Sequence, residues 1–546
     1  MESNFSGQYS LLDLHFAEFL TKRSSFSGDA KEEFFEVVAE LSAAMGAGHS
    51  CLPISREQSL LLEQTNLVSE DELTPLIVCN QHLYLHRYFR YESRLAHQIK
   101  DMAIRSHAKG LGADLLDSYF EDQEELINWQ KKAAAVALEK DLSIISGGPG
   151  TGKTTTVVKI LGIILQAINK NLSIGLAAPT GKAAMRLQVS INSSLSSIDF
   201  PEGIKAAIPT EAKTLHRLLG VQRNSPQFRH NKENPMSWDV VVVDEASMVD
   251  LAMMSKLVDA LKPGSKLILI GDKDQLSSVE SGAVLADFIK SIPQNTVELQ
   301  KTYRFDSGIK ELAASINMGD AGKAWAILKD KTIANVSLLE SDVLEYIGEK
   351  YGSYMEVVRT SEEQNIAKIF ASFNQFQILC SVHYGERGVD GINRRIEFTL
   401  AGQGYDCSPD SWYVGKPVLI TRNDYTLGLY NGDIGICLPD ANDNRLKVWF
   451  EKDDGGYKSF LPYRLPHFET AFAITIHKSQ GSEFSEVLVV LPKEDNRVLC
   501  RELLYTGVTR AKEKVKIGTE REVFELGLSR CIERYSGLAR RLLLSS

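Results

Sequence analysis

The chain has 546 residues, enough for roughly three to five domains and for more than one hydrophobic core. Apolar residues make up 43% and charged residues 24%, and 39 glycines with 16 prolines come to about a tenth of the chain, which excludes collagen-like and low-complexity classes. Acidic residues outnumber basic ones, 71 to 61, for a net charge of -10; taken alone this argues against a nucleic-acid partner, although net charge averages over faces that do different work.

The opening MESNFSGQYSLLDLHFAEFL lacks the basic stretch and continuous apolar core of a secretory signal, and no apolar run is long enough to cross a bilayer. The expectation is a soluble, cytoplasmic protein with no membrane partner. The seven cysteines are scattered and contain no CxxC, so they read as ordinary reduced residues.

Residues 1–115 place Leu11, Leu12, Leu14, Phe16, Phe19 and Leu20 at helical spacing, followed by a polar break and a second candidate helix over 31–44. This predicts a separate, mostly helical domain. Within it, LYLHRYFRYESRLA at 83–96 brings aromatic and arginine residues together, as either a packed amphipathic helix or a surface for a partner or nucleic acid. Over 116–300, LSII, IGLAA, VVVVDEA, KLILIGD and TVELQ alternate with turns and helical stretches, predicting a mostly parallel sheet with helices on both faces. A Ser-, Asn-, Lys- and Pro-rich segment near 190–235 reads as a small looped insertion. A second α/β block is expected over 301–400 and 471–546. Between its parts, 401–470 has short alternating runs split by NG, DN and DGG, suggesting a small inserted β-barrel.

The strongest chemical signal is GGPGTGKT, Gly147, Gly148, Pro149, Gly150, Thr151, Gly152, Lys153 and Thr154, with Thr155 next, between a strand and an apolar helix. Glycines let successive N–H groups curve around phosphate oxygens, and the helix N-terminus adds favourable dipoles. Lys153 is expected to reach the β and γ phosphates and the Thr154 hydroxyl to coordinate Mg²⁺. Asp244 and Glu245 end a buried run, where Asp244 can hold the Mg²⁺ shell and Glu245 can orient or deprotonate the attacking water. No NKxD-type sequence is present, so ATP is preferred to GTP. Gln275 in GDKDQL is a candidate γ-phosphate sensor, and Gln130 in NWQKKA can read an adenine edge. Arg304 and Arg510 are candidate arginine fingers from the second block, able to couple hydrolysis to domain closure.

The ordered set WQKKA, GGPGTGKT, APTGKAAMRL, TLHRLLG, DEAS, GDKDQL, QKTYRF, AITIHKSQGSEF and ELLYTGVTRAK resembles superfamily 1 helicases. More narrowly, APTGKAA with TLHRLLG, VHYGERGVDGINRRIE and ITIHKSQGSEF resemble the RecD family, the alpha subunits of bacterial exodeoxyribonuclease V (RecBCD) complexes. The resemblance implies two RecA-like motor domains and an SH3-like form for the inserted barrel. It implies a 5′ to 3′ ATP-dependent motor on DNA, in a heterotrimer with RecB-like and RecC-like subunits that acts on duplex ends and single strands in double-strand-break repair and recombination. Nucleotide roles fall on the residues above and on Gly481 and Glu483; DNA-facing roles fall on Thr180, Lys182, His216, Thr475 and His477. ATP and Mg²⁺ are the expected cofactors, and association with the nucleoid is expected when DNA is bound.

Only 36 residues follow Arg510, and no second acidic cluster is assigned, so DNA cutting is expected to belong to a partner. The competing readings are a free-standing helicase of the same branch and a nonenzymatic DNA-binding or assembly module.

Overall fold

Strands that are buried on both faces build the centre of the protein. The computed structural model describes residues 9–543 except 71, 108–111, 121–126, 169–171, 223–224, 278–280, 301–306, 341, 362–364, 425 and 453–454. Six parallel strands lie in the order Lys213–Thr214, Ile174–Ala178, Val240–Val243, Lys266–Gly271, Leu142–Gly147 and Thr296–Leu299. Alternate side chains serve opposite faces, as the period of a strand requires. Ile145, Val242, Ile268 and Ile270 pack with the helix Lys153–Ile168, while Ile144, Val241, Val243 and Leu269 form a second core on the other face.

That second core draws on distant parts of the chain. Leu95, Ala96 and Ile99 of helix His86–Ile104 enter it, as do Leu538 and Leu542 of helix Leu538–Leu543. The aromatic and arginine-rich stretch is therefore a packed amphipathic helix. Its Glu92 is fully buried, accepting from Ser50 Oγ (2.5 Å), Ser536 Oγ (3.2 Å) and the Gly537 amide (3.1 Å), with Arg541 alongside. Two expected boundaries change accordingly: the helix starting at His86 shares the first sheet's core, and the segment after about 535 leaves the second block to return there.

The N-terminal region contains the helices Leu11–Thr21 and Asp29–Gly46, the first closed by a capping box in which Ser10 and Asp13 satisfy each other's backbone amides. It is less purely helical than expected, because Leu52–Pro53, His82–Leu85 and Leu76–Cys79 form a small antiparallel sheet. The stretch 190–235 also differs from a looped insertion. A helix runs on to Ser197, and Lys213–Thr214 is the edge strand of the main sheet. Two-residue strands carry no periodic signal, which is why this one is not visible in the sequence.

The second sheet is also parallel, ordered Val336–Leu338, Ala511–Gly518, Phe484–Val490, Phe376–Cys380 and Ala473–Thr475. Within 401–470, five strands form an antiparallel sheet, Tyr457–Phe460, Leu446–Glu451, Ile434–Pro439, Pro417–Ile420 and Phe468–Thr470, around Val418, Ile420, Cys437, Val448 and Phe450. Among the described residues no helix is long and apolar enough to cross a membrane.

Candidate nucleotide site

The strand Leu142–Gly147 ends at the glycine loop, and the helix beginning at Lys153 leaves from it. Gly150 and Gly152 both take φ of 78°, a left-handed conformation that glycine adopts at little steric cost and that curls the loop. Lys153 Nζ donates to the carbonyls of Gly147 (2.6 Å) and Gly148 (2.9 Å), and the Thr151 hydroxyl donates to Gly148 (2.9 Å). The loop opens on a cavity of about 360 Å³ lined by Pro149, Gly150, Gly152, Lys153, Thr154 and Thr155 from its own side. Gly147, Gly148 and Thr151 stand behind that lining. Gln130 lies on the helix Trp129–Glu139 and donates to the Thr151 carbonyl at 3.4 Å, so it braces the loop.

Asp244 and Glu245 enter the same cavity from the adjacent strand end. The Asp244 amide is held by the Ala177 carbonyl (2.9 Å), and its carboxylate accepts from the Glu245 amide (2.9 Å). Glu245 has φ of 51° and ψ of 40°, a left-handed conformation that costs a non-glycine residue on the order of 1 kcal/mol or more and recurs at functional sites. Burial, followed by the neighbouring Glu245, pushes the Asp244 carboxyl above the usual carboxylate range. Such concentrated negative charge suits a divalent cation, and Thr154 and Asp244 offer hard oxygen ligands on one cavity wall.

The second block supplies the opposite wall. Arg510, 1% exposed, donates through Nε to the Thr506 carbonyl (3.1 Å) and through Nη1 to the Ser482 carbonyl (3.2 Å), and it lines the cavity with Gln275 and Glu483. Gly481 takes φ of 72° two residues before Glu483, and its Cα side faces Ala183. The other expected finger, Arg304, lies outside the described residues.

Four residues absent from the sequence-based set belong here. Arg186 pairs with Glu483 and approaches Glu245 at 4.0 Å, spanning the cavity between blocks. Its signal was helical spacing: it falls four residues after Lys182 in APTGKAAMRL. Asp272, Tyr505 and Thr506 are buried where the blocks meet, a contact that sequence order does not reveal.

Residues 6–63 match the family described as RecBCD enzyme subunit RecD, N-terminal domain, 130–281 match an AAA domain, and 470–517 match the UvrD-like helicase C-terminal domain. The RecBCD enzyme subunit RecD of Haemophilus influenzae is 35% identical over 90% of this chain and 85% of its own length. That of Mycolicibacterium smegmatis is 39% identical over 84% and 82%. The chain belongs to the RecD family. An ATP-dependent RecD2 DNA helicase of Deinococcus radiodurans is 30% identical over 86% of this chain and 63% of that protein.

In this RecD-family chain a second, larger cavity of about 690 Å³ lies between the first sheet's helix Gly181–Ser197, the inserted sheet and the second block. Lys182, Arg217, Lys452, Lys458 and Lys512 line it together with Tyr430, Phe450 and Phe484. Burial lowers the Lys182 ammonium to about 8 against the pull of Asp433 and Glu451. Of the five DNA-facing candidates, only Lys182 lines this cavity. Thr180 caps the helix by accepting from the Ala183 amide (3.2 Å), and Thr475 accepts from the Lys478 amide (3.2 Å). His216 packs edge-on against Phe228, and burial lowers its basicity. His477 is lowered by burial and by nearby Arg534, which touches the N-terminal region at Gly48.

Proposed function

We propose that this chain is an ATP-dependent 5′ to 3′ DNA helicase and translocase subunit of a RecBCD-type helicase-nuclease acting in double-strand-break repair and recombination. It supplies a motor and leaves DNA cutting to a partner. The observation that carries this is the nucleotide cavity, where a phosphate loop and carboxylate pair from one parallel sheet face Arg510 and Glu483 from the other. Closure of the blocks around ATP and release after hydrolysis convert phosphate chemistry into relative motion.

Lys153 binds the β and γ phosphates, Glu245 orients the attacking water and takes its proton, Gln275 senses the reacting phosphate, and Arg510 with Arg304 stabilises charge on the transferring group. Thr154 and Asp244 would hold Mg²⁺, which would neutralise phosphate charge. Gly481 and Glu483 complete the second block's nucleotide-facing wall.

The larger basic and aromatic cavity is proposed to take single-stranded DNA, through phosphate contacts from Lys182 and Arg217 and base stacking on Tyr430. Thr180, His216, Thr475 and His477 are assigned to the flanks of that path. The inserted antiparallel sheet acts as an SH3-like wall of the channel between the two RecA-like motor domains. Residues up to about 85 face RecB-like and RecC-like partners in a cytoplasmic heterotrimer that joins the nucleoid on DNA.

Strand displacement by the assembled complex, with the oppositely directed motor silenced at its own phosphate-loop lysine, tests this. Duplexes with 5′ tails are expected to unwind, and Lys153→Ala in this chain to abolish it; unwinding only from 3′ tails would overturn the direction. A free-standing helicase is the second reading, favoured by the likeness to the Deinococcus RecD2 protein. Native mass measurement separates the two: a complex with two larger proteins supports the first, and a persistent active monomer supports the second.

A further inference from the structure

The segment Asp272–Leu276, which follows the first sheet, is held by the second block at three points. Asp272, 1% exposed, accepts from the Asp274 amide at Oδ1 (3.0 Å) and, at Oδ2, from Gln275 Nε2 (3.2 Å) and the Tyr505 hydroxyl (3.0 Å). Tyr505 belongs to helix Arg501–Val508 of the second block and is 5% exposed. Its hydroxyl also lies against the phosphate loop, since a Cβ on Gly148 would stand 3.2 Å from it. Beyond Gln275, the Leu276 amide donates to Thr506 Oγ1 (2.8 Å), and Gln480 Nε2 donates to the Leu276 carbonyl (2.7 Å).

We infer that Tyr505 and Asp272 are a positioning pair that turns the Gln275 amide toward the attacking water only while the two blocks are closed. A carboxylate only accepts, so Gln275 gives one N–H of its NH₂ to Asp272, which fixes the plane of the amide and leaves its carbonyl oxygen and second N–H available. In that plane the oxygen can accept from the attacking water while the second N–H can donate to the γ phosphate. Tyr505 fixes the carboxylate from the far side of the interface, so opening the blocks removes one of the bonds that hold the amide's direction. The inference rests on the ATP-hydrolysis reading and specifies how Gln275 acts within it.

DNA-stimulated ATP turnover by the full chain in its complex, the partner motor silenced as above, is measured for the unmutated chain, Tyr505→Phe, Gln275→Ala and the double variant. Tyr505→Phe is expected to lower kcat about tenfold with little change in KM for ATP, as loss of orientation without loss of binding. Gln275→Ala should fall at least as far, and the double variant should match Gln275→Ala, because one residue acts through the other. Multiplied losses in the double variant, a normal kcat for Tyr505→Phe, or an effect confined to KM would overturn the pair. Asp272→Asn is expected to reproduce the loss, since an asparagine can donate as well as accept; if it does not fold, the nearly isosteric Tyr505→Phe still decides. No turnover in the unmutated chain would overturn the ATPase reading itself, whereas turnover with multiplied losses overturns the pair alone.

Discussion

In the six-stranded sheet, phosphate recognition is built largely from backbone: a glycine loop curled at Gly150 and Gly152 and followed directly by a helix N-terminus. In the five-stranded parallel sheet, by contrast, the groups that line the same cavity, Glu483 and Arg510, act through side chains. A backbone cradle is held by its own sheet whatever the other block does. Side chains that arrive across an interface act only when the interface is closed, and that conditional contact makes hydrolysis a cycle of motion.

Removing the second sheet's charge gives the largest expected effect on this contrast. Arg510→Ala should cut kcat about 10³-fold, as loss of an arginine finger does, while ATP still binds the intact loop. Single-turnover hydrolysis beside nucleotide titration checks it, and equal loss of binding would erase the distinction. Thr506→Val probes the interface more gently. It strands the buried Leu276 amide, at a cost of about 1–3 kcal/mol in denaturant unfolding. ADP affinity, which depends on the cradle, should stay unchanged.

The smallest effect is expected beside the second core of the first sheet. Burial pushes the Asp287 carboxyl up from 3.8 to about 6, with Glu92 adding to the rise, and its Oδ2 is buried without a partner. Because the folded value is raised, the favourable contribution is present below about pH 4 and is lost as pH rises through about 6. Asp287→Asn should therefore stabilise the protein by about 2 kcal/mol at pH 8 and by almost nothing at pH 4. Melting curves at the two pH values check the sign.

Much of this was legible because the signals are local. Leu142–Gly147 and Val240–Val243 are continuous apolar runs that end in their own chemistry, so strand, loop and catalytic group lie side by side in the text. Arg510 carried a motif of its own, and its place opposite Lys153 followed from the order of motifs. The groups that were missed are those whose roles exist only through long-range contact. Tyr505 and Thr506 sit inside ELLYTGVTRAK, yet nothing in that string says they meet Asp272 and Leu276 across 233 and 230 residues. For His216 and His477 family position suggested DNA; neither ring lines the larger cavity, and both are assigned to its flanks.

The fully buried Glu92 meets the Gly537 amide across 445 residues of chain. At roughly 5–20 residues per second of synthesis, that partner emerges roughly 20–90 s after Glu92 does. Until it arrives, the apolar surface of Leu285 and Phe288 that Leu538 and Leu542 share has no cover from this helix. The loop-closure entropy of so long a separation grows only logarithmically, so the finished contact is thermodynamically inexpensive but kinetically late. The second core, entered by Leu95 early in the chain, is thus sealed only after the whole of the second block has been made.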